Sequence, residues 1–218
     1  MNFAKYYARI LDLNFDLIKY RPLLIISLHD KHRQFQRDFI DGSLYSGDKT
    51  PLQILSKEQI PVLLESYSPK EIHCSSTRFY ETSFKNFVID LDASKANGIS
   101  TVFDFAKGFS EHIRKSSQVK KVKILFTGNR GFHIHVSLVQ RKTFEETGAL
   151  VEFFKEYHTP FIGVIDTNVL LQGHFIRMPF SFNTKGQKFS YFVDKLDSFD
   201  PDIAQENSDR LYEGVVNE

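Results

Sequence analysis

The sequence predicts an α+β fold (with α/β character) in which a mostly antiparallel sheet is flanked by helices. Two observations carry this prediction. Residues 86–92 form an apolar, strand-like run, and residues 122–139 have the pattern of a β-hairpin around a short Gly-flanked turn. Between these blocks, apolar residues recur at helical spacing, so helices should cover the sheet.

The first part of the chain is predicted to be largely helical. Aromatic and aliphatic residues recur at close to helical spacing over residues 2–20. Residues 21–50 are mixed and rich in turn signals. Ser56 and Gln59 have the spacing of a capping box, so we expect a short helix over 56–64.

Strand and helix patterns alternate along the rest of the chain. We expect strands at 70–76, 86–92, 122–126, 132–139, 161–166, 174–178 and 188–193. We expect helices at 103–115 and 143–158.

The chain shows no internal repeat and no clear interdomain linker. We therefore expect one domain over 1–193, with a helical portion at about 1–66 and the sheet at about 67–193. Residues 194–218 have an excess of acids and form a separate acidic C-terminal segment, which leaves the preceding body basic.

The composition limits the class of protein. Of the 218 residues, 41% are hydrophobic and 25% are charged, which is typical of a globular domain. The longest apolar stretch is too short to span a bilayer, and the N-terminus lacks a signal-peptide pattern. Cys74 is the single cysteine, which excludes an intrachain disulfide and a multi-cysteine zinc site. We expect a cytoplasmic protein that makes no membrane contact, nucleoid-associated if prokaryotic.

Two carboxylates end the apolar run at 86–92. Asp90 and Asp92 are two residues apart, so in a strand they project from the same face and can together bind a divalent cation. Asp166 follows another apolar run. Each has an ordinary alternative: a solvated strand end for the pair, and a cap of the next element for Asp166.

A compact basic turn lies between the strands of the expected hairpin. Thr127-Gly-Asn-Arg130-Gly131 combines a cation with glycine amides that can bind phosphate, and His133 and His135 follow on one strand face. The same residues could instead form a plain hairpin turn with its arginine in water. Carboxylates beside such a turn are the parts of a phosphoryl- or nucleotidyl-transfer site.

A basic cluster precedes this hairpin. Its members could bind the phosphates of a nucleic-acid template, although charge alone favours a solvated loop. They are Arg114, Lys115, Lys120, Lys121 and Lys123.

Three blocks in order resemble the catalytic small subunit of archaeal and eukaryotic DNA primases. The first runs from Ser68 to Asp92 and ends in Val-Ile-Asp-Leu-Asp. The second is Thr127-Gly-Asn-Arg-Gly-Phe-His133, similar to the family's Ser-Gly-x-x-Gly-x-His motif. The third is Ile165-Asp166 followed by Ile176-Arg-Met-Pro-Phe-Ser-Phe-Asn-Thr-Lys185. A weaker likeness is Arg37-Asp38-Phe39, near the family's Arg-Glu-Phe.

The resemblance implies a primase small-subunit-like fold and a two-metal mechanism. Asp90, Asp92 and Asp166 would hold two ions, Mg²⁺ or Mn²⁺, and would be the catalytic carboxylates. The nucleotide would be bound by Thr127, Gly128, Arg130, Gly131, His133, Arg177, Ser181, Asn183 and Lys185. Arg177 could instead pair with an acid inside the sheet.

The sequence departs from the family pattern at several positions. No cysteine lies between Asp92 and Thr127, where many relatives carry a zinc knuckle, so we expect no structural zinc. Thr127 stands where serine is usual and keeps the hydroxyl. Asn183 stands where histidine is common and keeps a donor.

The expected function is that of a DNA-directed primase catalytic subunit. It would use nucleoside triphosphates to make short primers on a single-stranded DNA template, with a primase large subunit or equivalent accessory chain as partner. One alternative is a polymerase of the same superfamily that extends existing ends. A more distant alternative is a metal-dependent phosphohydrolase built on His133 and His135.

Overall fold

The protein is described here from a computed structural model. It describes residues 1–18, 21, 23–27, 56–75, 82–93, 98–156, 165–166, 174–193 and 199–217. The weak likeness at Arg37-Asp38-Phe39, most of the turn-rich 21–50 segment and the start of the strand expected at 161–166 lie outside these residues.

Helices flank antiparallel strands throughout the described chain. The helices are α1 (Phe3–Leu13), α2 (Phe15–Ile18), α3 (Gln59–Tyr67), α4 (Ile99–Arg114), α5 (Phe144–Glu156) and α6 (Ala204–Asn217). The strands are β1 (Leu23–Ser27), β2 (Pro69–Ser75), β3 (Ser83–Asp92), β4 (Val119–Phe126), β5 (Gly131–Thr143), β6 (Ile165–Asp166), β7 (Phe175–Arg177), β8 (Phe182–Asn183), β9 (Lys188–Phe189) and β10 (Tyr191–Phe192). All the strand pairings are antiparallel, which confirms the predicted fold class.

The N-terminal helix is interrupted, contrary to the single helix expected over 2–20. Asn14 ends α1, where its side-chain Nδ2 donates to the Ile10 carbonyl oxygen at 2.9 Å. The Asn14 amide donates to the same oxygen at 3.0 Å, and an asparagine side chain that bonds to the backbone in this way is favoured at helix ends. At the other end, the Asn2 side chain accepts from the Lys5 amide at 3.1 Å and caps α1.

The third helix begins later than the capping-box pattern predicts. Residues 56–58 form a turn, and α3 starts at Gln59. The Ser56 amide donates to Gln59 Oε1 at 3.3 Å, and the Gln59 amide donates to the Ser56 carbonyl oxygen at 3.2 Å. Pro61 then lies in the first turn, where its missing N–H has no helical partner to lose.

Five strands in the order β10-β4-β5-β3-β6 form the main sheet. One face of this sheet packs against α4 and α5 in a core rich in phenylalanine, which includes Leu91 of β3 and Ile134 of β5. Because side chains alternate along a strand, the neighbouring residues Asp90 and His133 project from the opposite face. That opposite face carries the candidate site.

Three strands in the order β1-β2-β7 form the small sheet. Its strand β1 lies within the 1–66 portion, which we had expected to be helical. The small sheet shares a second core with α1, and Val88 of the main sheet joins this core beside Ile176 of β7. The two sheets therefore meet at the polar face of the main sheet.

Most of the acidic C-terminal segment forms α6, which packs against the body of the protein. Tyr212 stacks on both Tyr6 and Phe189, with ring centroids 5.6 and 5.5 Å away. The buried Ser208 hydroxyl oxygen accepts from the Phe189 amide at 2.7 Å. The apolar face of α6 thus completes the second core. The acids Asp200, Asp202, Glu206 and Glu213 are exposed.

No helix within the described ranges combines the length and the apolar character needed to cross a bilayer.

Candidate active site

A row of polar side chains crosses the main sheet at one level. Asp90 of β3 is the register partner of Asp166 on β6 and of His133 on β5. Directly opposed residues in an antiparallel pair have Cβ atoms about 5 Å apart, on the same face. The strand register therefore brings together three residues that are far apart in the chain.

Asp92 extends this row along β3. It projects from the same face as Asp90 and lies opposite Gly131, the first residue of β5. A Cβ atom added to Gly131 would be 2.7 Å from Asp92 Oδ1 and 2.8 Å from the Leu91 carbonyl oxygen. A glycine at 131 therefore leaves the space that the Asp92 carboxylate occupies.

The environment of Asp90 disfavours its ionised form. Burial, and then the negative charges of Asp92 and Asp166, raise the pKa of Asp90 to about 7, although Arg177 acts in the opposite direction. Its buried Oδ1 atom has no hydrogen-bond partner among the described residues. A positive charge beside Asp90 Oδ1 would stabilise the ionised carboxylate and would also give this buried oxygen a partner.

His133 is held as a neutral imidazole. Its pKa is well below the ordinary value, first because the ring is buried and then because of electrostatic interactions with His135 and the charged Arg177. Its Nε2 atom is 3.5 Å from Asp90 Oδ1, too far for a good hydrogen bond, and the neutral ring forms no ion pair there. Nδ1 has no hydrogen-bond partner among the described residues and can serve a ligand.

The opposite wall comes from the small sheet and the loop after it. Arg177 of β7 is the register partner of His73 on β2, and its Nη1 donates to the Glu71 carboxylate. The alternative noted for Arg177, pairing with an acid inside the sheet, is thus what the structure shows. Arg177 nevertheless lines the cleft described below.

Glu71 is the centre of this wall. Its Oε1 accepts from Arg177 and, at 2.7 Å, from His73 Nε2, while Oε2 accepts from the amide and hydroxyl of Thr184 at 2.8 and 2.7 Å. Burial alone would raise the pKa of Glu71, but these donors and the charge of Arg177 lower it to about 2. The pKa of His73 is lowered by burial, so His73 donates as a neutral ring.

The basic turn is closed by Thr127. Its amide and its hydroxyl both donate to the Gly131 carbonyl oxygen, at 3.0 and 2.9 Å. Gly128 has a φ of 82°, and a Cβ atom there would lie 2.6 Å from the Lys188 carbonyl oxygen. The Thr127 hydroxyl proton therefore holds the turn, and a phosphate would have to compete for it.

The Asn183 side chain joins this turn to the loop after β8. Its Nδ2 donates to the Thr127 carbonyl oxygen at 3.0 Å, and its Oδ1 accepts from the amides of Lys185 and Gly186, also at 3.0 Å. With these bonds Asn183 orients the loop that carries Lys185 toward the turn that carries Arg130.

These elements enclose a cleft of about 330 Å³. The sequence-predicted residues that line it are Asp90, Asp92, Thr127, Arg130, His133, Arg177, Asn183 and Lys185. Gly128 and Gly131 shape the turn at its edge, and Asp166 lies opposite Asp90 on the neighbouring strand β6 but is not a lining residue. Ser181 is not among the lining residues: it is fully buried, and its hydroxyl oxygen accepts from the Ile72 amide at 2.8 Å.

The five residues of the predicted basic cluster separate in space. Arg114 turns back from the end of α4 and donates to the Val122 carbonyl oxygen at 3.2 Å, and Lys115 follows as the helix cap. Lys121 and Lys123 lie on the same strand face as the candidate site, since Lys123 is the register partner of His135. Lys120 lies at an irregularity in the pairing of β4.

The carboxylates suit a hard divalent cation. Mg²⁺ and Mn²⁺ prefer oxygen ligands, and the buried, unpartnered Oδ1 of Asp90 beside Asp92 and Asp166 is such a donor set. Within the described ranges, no group of three or more His, Cys, Asp or Glu side chains has the geometry of a metal site. The carboxylates are therefore the right kind of ligands, but the described side chains are not arranged around an ion.

One solved structure shows how this fold is used elsewhere. The chain is similar to the polymerase domain of Mycobacterium tuberculosis Ligase D, determined in complex with DNA, with a TM-score of 0.77. The likeness covers 99% of this chain and 88% of that chain at 14% sequence identity, so it establishes a polymerase-domain fold. No protein-family model and no curated protein matches the sequence.

Sequence reasoning missed three residues that line the cleft on the same wall as Arg177. Glu71, His73 and Thr184 line the cleft, yet none was predicted as a site residue. A signal was present, because Glu71 and His73 alternate with apolar residues on a predicted strand and so share one face. Their partner on β7 could not be found from the sequence, since it depends on how the small sheet is assembled.

Proposed function

We propose that this chain is a DNA-directed nucleotidyltransferase, and specifically the catalytic subunit of a primase. The observation that carries the proposal is the placement of Asp90, Asp92 and Asp166 on one sheet face, opposite Arg177. Acids that repel one another in a partly buried cleft, with cations on the facing wall, suit an ion-assisted reaction of a triphosphate.

Asp90, Asp92 and Asp166 would hold two divalent ions. When bound, such ions activate the attacking 3′-hydroxyl and stabilise the leaving pyrophosphate. The chain's own cations would bind the triphosphate: Arg130 on the turn and Lys185 on the loop are both exposed at the cleft.

Arg177 and His133 would have more fixed roles. The bond to Glu71 holds Arg177 on the wall, so its guanidinium meets the ligand without first having to be ordered. His133 is neutral, and its Nδ1 can donate to a phosphate oxygen only as the Nδ1–H tautomer.

Two kinds of nucleotidyltransferase are candidates for the specific function. A primase starts strands without a primer and would work with a larger accessory chain that helps to hold the initiating nucleotide. An end-extending polymerase of the same superfamily is favoured by the likeness to a ligase polymerase domain. A phosphohydrolase built on both histidines fits less well, because His133 lines the cleft whereas His135 lines a neighbouring groove.

Primer synthesis on an unprimed single-stranded DNA template tests the proposal. Labelled ribo- and deoxynucleotides would be supplied with Mg²⁺ or Mn²⁺, and the same reactions repeated on a pre-annealed primer. Products on both templates support a primase, and products only on the annealed primer support the end-extending polymerase.

The nearly isosteric variants Asp90→Asn and Asp92→Asn should lower incorporation at least 100-fold, since ion binding supplies several kcal/mol of transition-state stabilisation. Asp104→Asn removes one exposed acid from α4 and serves as the matched control. Equal activity of Asp90→Asn and the control would contradict the proposal.

A further inference from the structure

A second cavity adjoins the cleft on the same face of the main sheet. It is an open groove of about 360 Å³, which we call the basic groove. Its polar lining residues are Asn14, Arg21, Asn86, Lys121, Lys123, His135 and Ser137. This volume lies within the range of small-ligand pockets.

The basic groove is lined by charges of one sign, whereas the cleft is lined by charges of both signs. Arg21, Lys121 and Lys123 contribute three cations, and no acid occurs among the lining residues that the structure describes. The cleft, in contrast, has three acids and three cations among its lining residues. A concave surface lined by one sign of charge concentrates the opposite sign, so the basic groove favours an anion.

Two of the three cations are anchored by contacts within the protein. Arg21 Nη1 donates to the Ser75 carbonyl oxygen at 2.9 Å, which holds its side chain at the end of β2. Lys123 Nζ is 4.6 Å from the centre of the Phe192 ring, in a cation–π contact. A solvated lysine face needs neither contact.

His135 adds a neutral polar group. Burial, followed by the charges of Arg21 and Lys123, lowers its pKa to about 4, so the ring is uncharged at neutral pH. Its buried Nε2 atom has no hydrogen-bond partner among the described residues. This atom is an unused donor or acceptor beside two cations.

The basic groove continues directly from the cleft. Ile176 lines both cavities. Along the strands, Val88 precedes Asp90 by two residues and His135 follows His133 by two, so the groove begins about 7 Å from the carboxylate row. A nucleic-acid strand that enters the cleft would thus pass over it.

We propose that the basic groove is a phosphate-binding subsite of the active site and takes a backbone phosphate of the nucleic-acid strand leaving the cleft. This inference rests on the proposed function and adds to it the path by which a nucleic-acid strand would leave the active site. The same chemistry would also suit the phosphates of a free nucleotide, and the experiment below separates the two sources.

The test measures binding without catalysis. A fluorescently labelled single-stranded oligonucleotide and a fluorescent nucleoside triphosphate would each be titrated in EDTA, over a series of salt concentrations. The variant Lys121→Ala/Lys123→Ala removes two groove cations. Lys121→Arg/Lys123→Arg keeps both charges, and Lys5→Ala/Lys85→Ala removes two exposed lysines that lie outside both cavities.

We expect the double alanine variant to bind the oligonucleotide more weakly, with a salt slope shallower by roughly 0.7 for each lost contact. The arginine variant should retain affinity, and the control should match wild type. Loss for the oligonucleotide supports a strand phosphate, and loss for the triphosphate supports a nucleotide phosphate. If the alanine variant and the control bind both probes equally, the subsite does not exist.

The outcome is independent of catalysis. Because the titrations need no metal and no turnover, a protein that binds through Lys121 and Lys123 yet makes no product would contradict the proposed function alone. An active protein whose alanine variant binds normally would contradict the subsite alone.

Discussion

Glu71 and Arg177 form a buried ion pair between neighbouring strands of the small sheet, directly opposite the carboxylate row of the main sheet. The Glu71 side chain is 3% exposed and that of Arg177 is 13% exposed. Glu71 also accepts from His73 and Thr184, so one carboxylate fixes three separate elements of the cleft wall. The wall can therefore stay in place before any ligand binds.

Removal of Glu71 should destabilise the protein. Glu71→Ala leaves Arg177 as a buried, unpaired charge and removes an acceptor from Thr184, so we expect a loss of about 3 to 5 kcal/mol in the free energy of unfolding. Urea titration followed by circular dichroism measures it. Glu145→Ala, on the exposed surface of α5, should change stability by less than about 0.5 kcal/mol. Similar losses in both variants would argue against the network.

The same carboxylate predicts a dependence of stability on pH. The folded protein lowers the pKa of Glu71 from an ordinary 4.5 to about 2. The stabilisation, about 3 kcal/mol, is therefore fully present above pH 4.5 and is lost as the pH falls toward 2. Unfolding free energies of wild type and Glu71→Gln should thus converge in this acidic range. Curves that stay parallel would exclude Glu71 as the cause.

Divalent ions should stabilise the fold through the carboxylate row. An ion present at 100 times its dissociation constant adds about 2.7 kcal/mol, which corresponds to an increase of roughly 5–10 °C in Tm for a chain of this size. Mn²⁺ titrated in a thermal-unfolding assay should give this increase for wild type. The Asp90→Asn/Asp92→Asn double variant should show none, and an equal increase in that variant would place the ion elsewhere.

Gly131 should be needed for the position of Asp92. In Gly131→Ala the new Cβ atom would lie 2.7 Å from Asp92 Oδ1, so the carboxylate or the turn has to move. We expect loss of most nucleotide incorporation and of the Mn²⁺-dependent increase in Tm. Gly148→Ala on α5 is the matched control, because a Cβ atom there meets nothing within 4 Å. Full activity of Gly131→Ala would show that this space is not required.

Local patterns in the sequence predict much of the main sheet and half of the site. The two-residue period places Asp90 with Asp92, and the glycines around Asn129 define the hairpin that β4 and β5 form. The break at Asn14 was missed because the helical spacing of apolar residues continues across it, from Leu11 to Phe15 and Ile18.

The features of the fold and the site that local sequence patterns did not predict depend on tertiary packing. Residues 194–218 were read from their charge as a separate segment, but the apolar face that includes Tyr212 packs on Tyr6 and Phe189. Ser181 shows the same limit at the site, because its motif position predicts a nucleotide contact and the structure buries it beside Ile72. Neither packing partner is close in sequence.

The register between β3 and β5 has a consequence for how the site can fail. With Asp90 opposite His133, Leu91 and Phe132 lie together on the buried face. A slip of one residue would turn the carboxylates toward α4 and α5 and bring phenylalanine into the polar cleft. A misaligned sheet would therefore expose its apolar core to solvent. Burial of the hydrophobic face thus stabilises the register that aligns the carboxylates on the polar face.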